Sequence, residues 1–249
     1  SAMGRKYLGE QFDIHTGGID LIPTHHENEI AQSKGATGKI PAHVWLHCEY
    51  LQVDGGKMSK SLGNTYTISQ LKGKGISPLA FKLFCFTAHY RNKLNFTFEG
   101  AYGAQKALER LYDSYVKNAN GADEIEESII SEYKEKFSNY INDDMNMPGA
   151  MSVVWEIARN TKKSKSFAEL LLEFDKVLGL DIKNAEQYLK EFKQENEELP
   201  DDIKDLITER NKARENKNWQ KSDELRDKII SMGYSIKDTK DGIIVKKEK

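Results

Sequence analysis

The 249-residue sequence predicts an α/β region, then an all-α helix bundle, then a small α+β unit. Three observations carry this expectation. Apolar and polar residues alternate at Phe12-Asp13-Ile14-His15 and again over 43–50, as they do in half-buried strands. From Gly100 to Gly179 the apolar residues recur at three- and four-residue intervals, the helical period. After Pro200, two helical stripes are followed by two short apolar runs around Asp241-Gly242, a hairpin signature.

Composition narrows the class. Charged residues make up 31% and hydrophobic residues 38%, a polar balance that suits a water-soluble protein. No apolar run approaches a membrane span, and no secretory signal opens the chain. The two cysteines, Cys48 and Cys85, sit among apolar neighbours without Cys-x-x-Cys spacing and are expected to be reduced and buried, which fits a cytoplasmic protein. Net charge is −2, but residues 1–100 carry 11 Lys/Arg against 8 Asp/Glu, and all six histidines lie at or before His89. Ligand and phosphate chemistry is therefore expected in the first hundred residues.

The first strand ends at Thr16-Gly17-Gly18-Ile19-Asp20. Two glycines there let a ligand approach the backbone, and Asp20 can accept hydrogen bonds from a ribose; a plain strand-to-helix turn is the other reading. Pro23 or Thr24 then opens a helix with Glu27 and Glu29 in its first turns, where the helix dipole favours acids. His25 and Glu29, four apart, share a face and offer imidazole nitrogen and carboxylate oxygen, a workable pair of zinc ligands. His26 with Glu29 is a possible substitute, and a capped, solvated helix start is the alternative to both. Over 43–50, His43, Trp45, His47 and Glu49 point one way and Val44, Leu46, Cys48 and Tyr50 the other.

The next stretch is Lys57-Met58-Ser59-Lys60-Ser61, preceded by Gly55-Gly56 and followed by Leu62-Gly63-Asn64. Glycines on both sides let the loop bend against a ligand. Two lysines and two hydroxyls give it point charges and donors suited to a polyphosphate. Such a composition also fits a solvated turn. Helices are then expected at Ile68 to Leu71 and from Pro78 to Tyr90.

Four apolar stripes follow. They are Ala104, Ala107, Leu108, Leu111 and Tyr115; then Ile129, Ile130, Tyr133, Phe137, Tyr140 and Ile141; then Val153, Val154, Ile157 and Ala158 after Pro148; then Phe167, Leu170, Leu171, Phe174, Val177 and Leu178, stopped by Gly179. Short polar connections make the neighbours antiparallel, as in a bundle. Residues 183–200 are dense in Glu, Lys and Gln and read as a mobile helix or linker. In the tail, Ile203, Leu206 and Ile207 begin one helix and Trp219, Ser222, Leu225 and Ile229 run along another, halted by Gly233. Arg210, Lys212, Arg214, Lys217 and Lys221 form a basic stripe beside Trp219, fit either to follow an RNA backbone or to lie in solvent.

As an ordered string, the lysine loop resembles the signature loop of class I aminoacyl-tRNA synthetases. "FDIHTGGIDL", "HHENEIAQS", "KMSKSLGN", "AHYRNKLNF", "DDMNMPGAM" and "RNKARENKNWQKSDELRDKI" with "DTKDG" resemble cysteinyl-tRNA synthetase, in that family's order and over nearly the whole chain. The resemblance implies a Rossmann-type catalytic domain, of which residues 1–65 would be the second half. It further implies a stem-contact helical region at 66–100, a tRNA-binding helix bundle at 101–182, a linker at 183–202 and an anticodon-recognition unit at 203–249. It implies zinc held by His25 and Glu29, with His15 lining the amino-acid pocket. Gly17, Gly18 and Asp20 would bind adenosine. Lys57, Met58, Ser59, Lys60 and Ser61 would contact ATP and its magnesium, with Lys60 and Lys57 catalytic as pyrophosphate leaves. The family's other two zinc ligands are cysteines with no counterpart here, and its His-x-Gly-His signature is also missing. Ser1-Ala2-Met3 resembles the tripeptide that follows one of those cysteines, and "LIPTHHE" departs from the family's Phe-Pro before the histidines. A carboxy-terminal half is thus expected, monomeric and inactive alone, from a ligase that joins cysteine to tRNA(Cys) using ATP. The alternatives are a cysteine ligase acting on an amino sugar and a non-catalytic tRNA-binding fragment.

Overall fold

The computed structural model describes residues 1–190, 200–215, 218–239 and 242–247. The chain divides into two compact units, Ser1–Leu189 and Lys190–Lys249. Both α-helix and β-sheet contribute, so the mixed α/β expectation holds.

The first unit opens with a short helix, α1 (Ala2–Leu8), and strand β1 (Phe12–Gly18). A tight turn at Ile19–Leu21 and a wide, π-helical turn at Ile22–His26 run without a break into α2 (Glu27–Thr37). Pro23 falls at the start of that wide turn, where its missing N–H costs nothing. Strand β2 (Ala42–Cys48) returns parallel to β1, pairing Ile14 with Val44, His15 with Trp45 and Gly17 with His47. Parallel pairing needs a crossover, and α2 supplies it.

A second sheet follows, made of β3 (Leu51–Val53), β4 (Gly56–Lys57) and β5 (Leu94–Phe96). β3 pairs antiparallel with β4 and parallel with β5. Asp54 and Gly55, with φ of 50° and 77°, turn the β3–β4 hairpin, the left-handed pair that an Asp-Gly turn needs. Helices α3 (Ile68–Gly73) and α4 (Pro78–Cys85) lie between β4 and β5. Thr67 and Gln70 cap α3 reciprocally. The helix expected from Pro78 to Tyr90 ends at Cys85, and Leu94-Asn95-Phe96 is a strand. Phe96 is buried among Tyr66, Phe81, Phe84 and Phe98, ring to ring at 5.3–6.0 Å, which fixes β5 to α4.

Four longer helices complete the unit: α5 (Phe98–Ala119), α6 (Glu127–Asn142), α7 (Met147–Arg159) and α8 (Lys165–Leu178). α5 packs on α4, α7 and α8, and α6 packs on α7 and α8. Leu108, Leu111, Val154, Ile157, Phe167, Leu171 and Leu178 are buried, as their stripes require. Ile129, Tyr140 and Val177 are exposed instead, on the outer sides of α6 and α8. Tyr112 is fully buried, and its hydroxyl donates to Leu180 O at 2.6 Å. Residues 185–190 are helical, and Tyr188 stacks on Tyr112. Of the rest of the expected linker, 191–199 lies outside the described residues, and 201–202 already belong to the next helix.

In the second unit, α9 (Asp201–Glu215) and α10 (Trp219–Ser231) precede a hairpin of β6 (Tyr234–Thr239) and β7 (Gly242–Lys247). Ile203, Leu206, Leu225, Ile229, Tyr234 and Ile236 form its core. Thr239 pairs with Gly242, so Gly242 belongs to the strand, and Asp241, expected in the turn, lies outside the described residues. Among the described residues, no helix is long and apolar enough to cross a membrane.

Candidate functional site

The β1–β2 pair has two unlike faces. One carries His15, Gly17, Trp45 and His47 and is covered by the turn that leads into α2. The other carries Ile14, Val44 and Cys48, all exposed. Cys48 is therefore not the buried thiol expected from its apolar neighbours: it stands on the face away from α2. Cys85 is half-buried, and burial pushes its thiol above the usual range.

The covered face brings ligand-type groups together. Ligand atoms of His15, His26 and Glu29 lie within 4.8 Å of one another. His15 Nε2 is 2.8 Å from Glu29 Oε2, and His25 Nε2 is 3.7 Å from Glu29 Oε1. The Ser1 amino group also reaches Glu29, at 3.8 Å from Oε1. Glu29 Oε2 is buried without a well-directed hydrogen bond, the state of an oxygen that a cation could satisfy. His26 is buried, and its Nδ1 shares a hydrogen bond of 2.8 Å with His47 Nε2. Burial first, then the imidazoles of His15 and His47, hold His26 below the ordinary histidine range. It is neutral at neutral pH and has a lone pair to offer. The rings of His15 and His26 both pack on Trp45, at 4.7 and 5.0 Å, and this fixes their planes.

Gly17 makes this packing possible. A Cβ there would lie 2.6 Å from His26 Cε1 and 2.8 Å from Leu21 Cδ1. At Gly18 a Cβ would collide with Asp20 Oδ1, so the Gly-Gly pair admits both the imidazole and the Asp20 carboxylate. Of the residues singled out from sequence, His15, His25 and Glu29 thus meet at one place. His26, the substitute ligand, is the more buried of the neighbouring histidines. Trp45 and His47 were legible only as sharing a strand face, which is the signal by which they could have been named.

The lysine loop leaves β4 and is braced by one residue that sequence reasoning passed over. Asn64 accepts the Ser59 N–H at 2.8 Å and donates to Lys57 O at 2.9 Å. Ser59 and Ser61 hydroxyls share a hydrogen bond of 3.1 Å. Lys57 and Ser61 are exposed and Met58 and Ser59 half-buried. The Lys60 backbone opens a short helical turn, Lys60–Leu62, and its side chain lies outside what is described. The tail keeps an exposed Trp219 with the Arg214 guanidinium 5.8 Å from its ring centre. Arg210 of the expected basic stripe is buried in the unit's interior, and Lys217 lies outside the described residues.

Comparison with known proteins gives three matched family models. Residues 1–106 match a tRNA synthetase class I (C) catalytic domain, 136–183 a DALR domain, and 196–245 a cysteinyl-tRNA ligase anticodon binding domain. A cysteine–tRNA ligase of Legionella pneumophila (strain Corby) is 44% identical over 96% of the chain and 52% of its own length. One from Brachyspira hyodysenteriae is 40% identical over 98% of the chain and 54% of its own length. The chain spans about half the length of the curated relatives it matches. A solved LeuRS–tRNA–LeuAMS complex from Agrobacterium radiobacter K84 superposes with a TM-score of 0.54 at 16% identity, over 71% of this chain and 27% of that one, a likeness of fold alone.

Proposed function

The chain belongs to the cysteinyl-tRNA synthetase family, and from that premise we propose that it supplies the metal-binding and lysine-loop part of an ATP-dependent cysteine–tRNA ligase. The whole ligase activates cysteine as an adenylate and transfers it to tRNA(Cys). The observation that supports this best is the cluster around Glu29, where the nitrogens of His15 and His25 lie 2.8 and 3.7 Å from its carboxylate beside the buried His26. It is walled by β2, and the same run of chain continues through β3 and β4 into the lysine loop.

His25 and Glu29 would hold zinc together with ligands outside this chain, and His15 would keep the Glu29 carboxylate turned toward it. Zinc, when bound, favours a thiolate over the harder hydroxyl of serine. Gly17, Gly18 and Asp20 would seat the adenosine at the end of β1, in the second half of a Rossmann-type domain. Lys57, Ser59, Lys60 and Ser61 would meet the phosphates of magnesium-bound ATP, where the lysine charge counts most as pyrophosphate departs.

The helical part, 101–182, would bear on the tRNA as a bundle. A cleft of about 790 Å³ between α4, α5 and α7 is lined by apolar side chains together with Arg110, Arg159, Lys163 and the paired Lys117 and Asp113. The unit at 203–249 would read the anticodon through exposed Trp219 and the Arg214 beside it, with exposed Lys212 and Lys221 on the same two helices. That unit, and the anticodon-binding model matched to it, favour tRNA over an amino sugar as acceptor. A monomer working in the cytoplasm is part of the same proposal.

The test uses the full-length ligase. Cysteine-dependent ATP–pyrophosphate exchange, followed by transfer to tRNA(Cys) and not to a glucosamine derivative, is the expected result, with no exchange from this 249-residue chain alone. Transfer to the amino sugar alone would overturn the reading. Loss of bound zinc in His25→Ala is expected; retention there with loss in His26→Ala would move the ligand to His26.

A further inference from the structure

Three consecutive residues beyond α4 converge on one residue of the α6–α7 turn, and none of them has a part in the reading above. Arg91 Nε donates to Asp144 Oδ2 at 2.6 Å and Arg91 Nη2 to Oδ1 at 3.3 Å. The Tyr90 hydroxyl donates to Oδ1 at 2.6 Å. His89 Nδ1 accepts the Arg91 N–H at 3.3 Å, so its Nε2 carries the proton and donates to Asp144 O at 3.0 Å. Asp144 and its neighbour Met145 hold φ of 52° and 54°, left-handed backbone that non-glycine residues seldom adopt. The turn is fixed from within by Met145 N–H to Ile141 O at 3.1 Å and Asn146 N–H to Tyr140 O at 3.0 Å.

The segment that Asp144 holds is continuous with the base of the lysine loop. Tyr90 O accepts Glu49 N–H at 2.9 Å, and Leu94 N–H donates to Tyr50 O at 3.3 Å. β5 then lies along β3, residue against residue, from Leu51–Leu94 to Val53–Phe96. At the hairpin, Phe96 O accepts Asp54 N–H at 3.0 Å and Asn95 Oδ1 accepts Gly55 N–H at 2.7 Å. The loop emerges two residues later. Asp144 lies in the stretch matched by the DALR domain, and the loop in the stretch matched by the catalytic domain.

We propose that Asp144 is a positioning residue for the lysine loop: it clamps residues 89–91, and through β5 and β3 it sets the β3–β4 hairpin from which the loop projects. A turn of the part proposed to bear on tRNA is thereby tied, through hydrogen bonds and the β5–β3 pairing, to the loop proposed to meet ATP. Its meaning for catalysis rests on the reading proposed above, whereas the measurement below needs neither ATP nor tRNA.

Asp144→Gly separates clamp from turn, because glycine accepts the left-handed backbone while removing the carboxylate. In hydrogen exchange on the 249-residue chain, the Asp54 and Gly55 amides should exchange about fivefold faster in Asp144→Gly, with α8 amides such as Leu171 unchanged. Asp144→Asn, which keeps an acceptor and tolerates the same backbone, should recover most of the protection. The double variant Tyr90→Phe, Arg91→Leu should reproduce the glycine result with the turn intact. In the full-length ligase, Asp144→Gly should raise KM for ATP more than it lowers kcat. Unchanged Asp54 and Gly55 exchange in both Asp144→Gly and the double variant overturns the proposal. So does an equal rise throughout the unit, which marks Asp144 as a general brace.

Discussion

The histidine–carboxylate cluster and the lysine loop are built on opposite plans. In the cluster, His26 is buried, His15 and His26 are wedged on Trp45, and glycine is required because an imidazole occupies the space of its side chain. The loop is exposed at Lys57 and Ser61 and is held by its own short hydrogen bonds, two of them through Asn64. A site that must discriminate a small ligand gains from rigid walls. On the reading proposed above, the loop would instead answer charge as a bond breaks, for which exposed cations suffice. Substitutions should therefore act on chemistry in the loop and on folding in the cluster.

The largest effect is expected from Lys60→Ala in the full-length ligase. Adenylate formation should slow by about 10² or more, the scale for one lost transition-state donor, with an unchanged melting temperature. Rapid-quench measurement of adenylate checks it; a rate near wild type removes Lys60 from the mechanism and blurs the contrast. Next is Gly17→Ala, which should destabilise the chain by about 1–3 kcal/mol as His26 and Leu21 are displaced, read from urea unfolding. Intact stability would mean the cluster is as yielding as the loop.

The smallest effect concerns pH at Asp144, which holds Tyr90 and Arg91. The Arg91 and Tyr90 hydrogen bonds hold the Asp144 carboxyl below the usual aspartate range. A lowered folded pKa means the contribution is complete above the unfolded aspartate's pKa and is lost as pH falls through the folded one. Wild type and Asp144→Asn should thus differ slightly in urea midpoint at pH 7 and converge in strong acid. Being exposed, the group should move the midpoint little.

How much of this was legible follows from how far each feature reaches along the chain. Alternation gave both strands of the parallel pair and the shared face of Trp45 and His47, because a strand's period is local. Helical spacing gave the buried stripes of α5 to α8 for the same reason. The meeting of His15 with Glu29 was not readable from spacing: it depends on a strand pairing that α2 itself closes. Asp144 was hidden in a charged run, since nothing in "DDMNMP" announces that its second aspartate adopts a left-handed backbone. Arg210 looked like part of a solvent-facing stripe, yet it turns inward within its unit. Asn64 looked like loop punctuation, and its role is visible only once both ends of the loop are fixed.

The outward side of the parallel pair has a practical corollary. Ile14 and Val44 sit directly across from each other, 60% and 54% exposed, with the Cys48 thiol on the same surface. An oily strip of this kind, backed by an oxidisable sulfur, invites purified material to clump or cross-link on standing. Reducing agent and dilute handling should keep preparations of this polypeptide monodisperse, and polar replacements at those two aliphatic positions should extend shelf life without touching the histidine side.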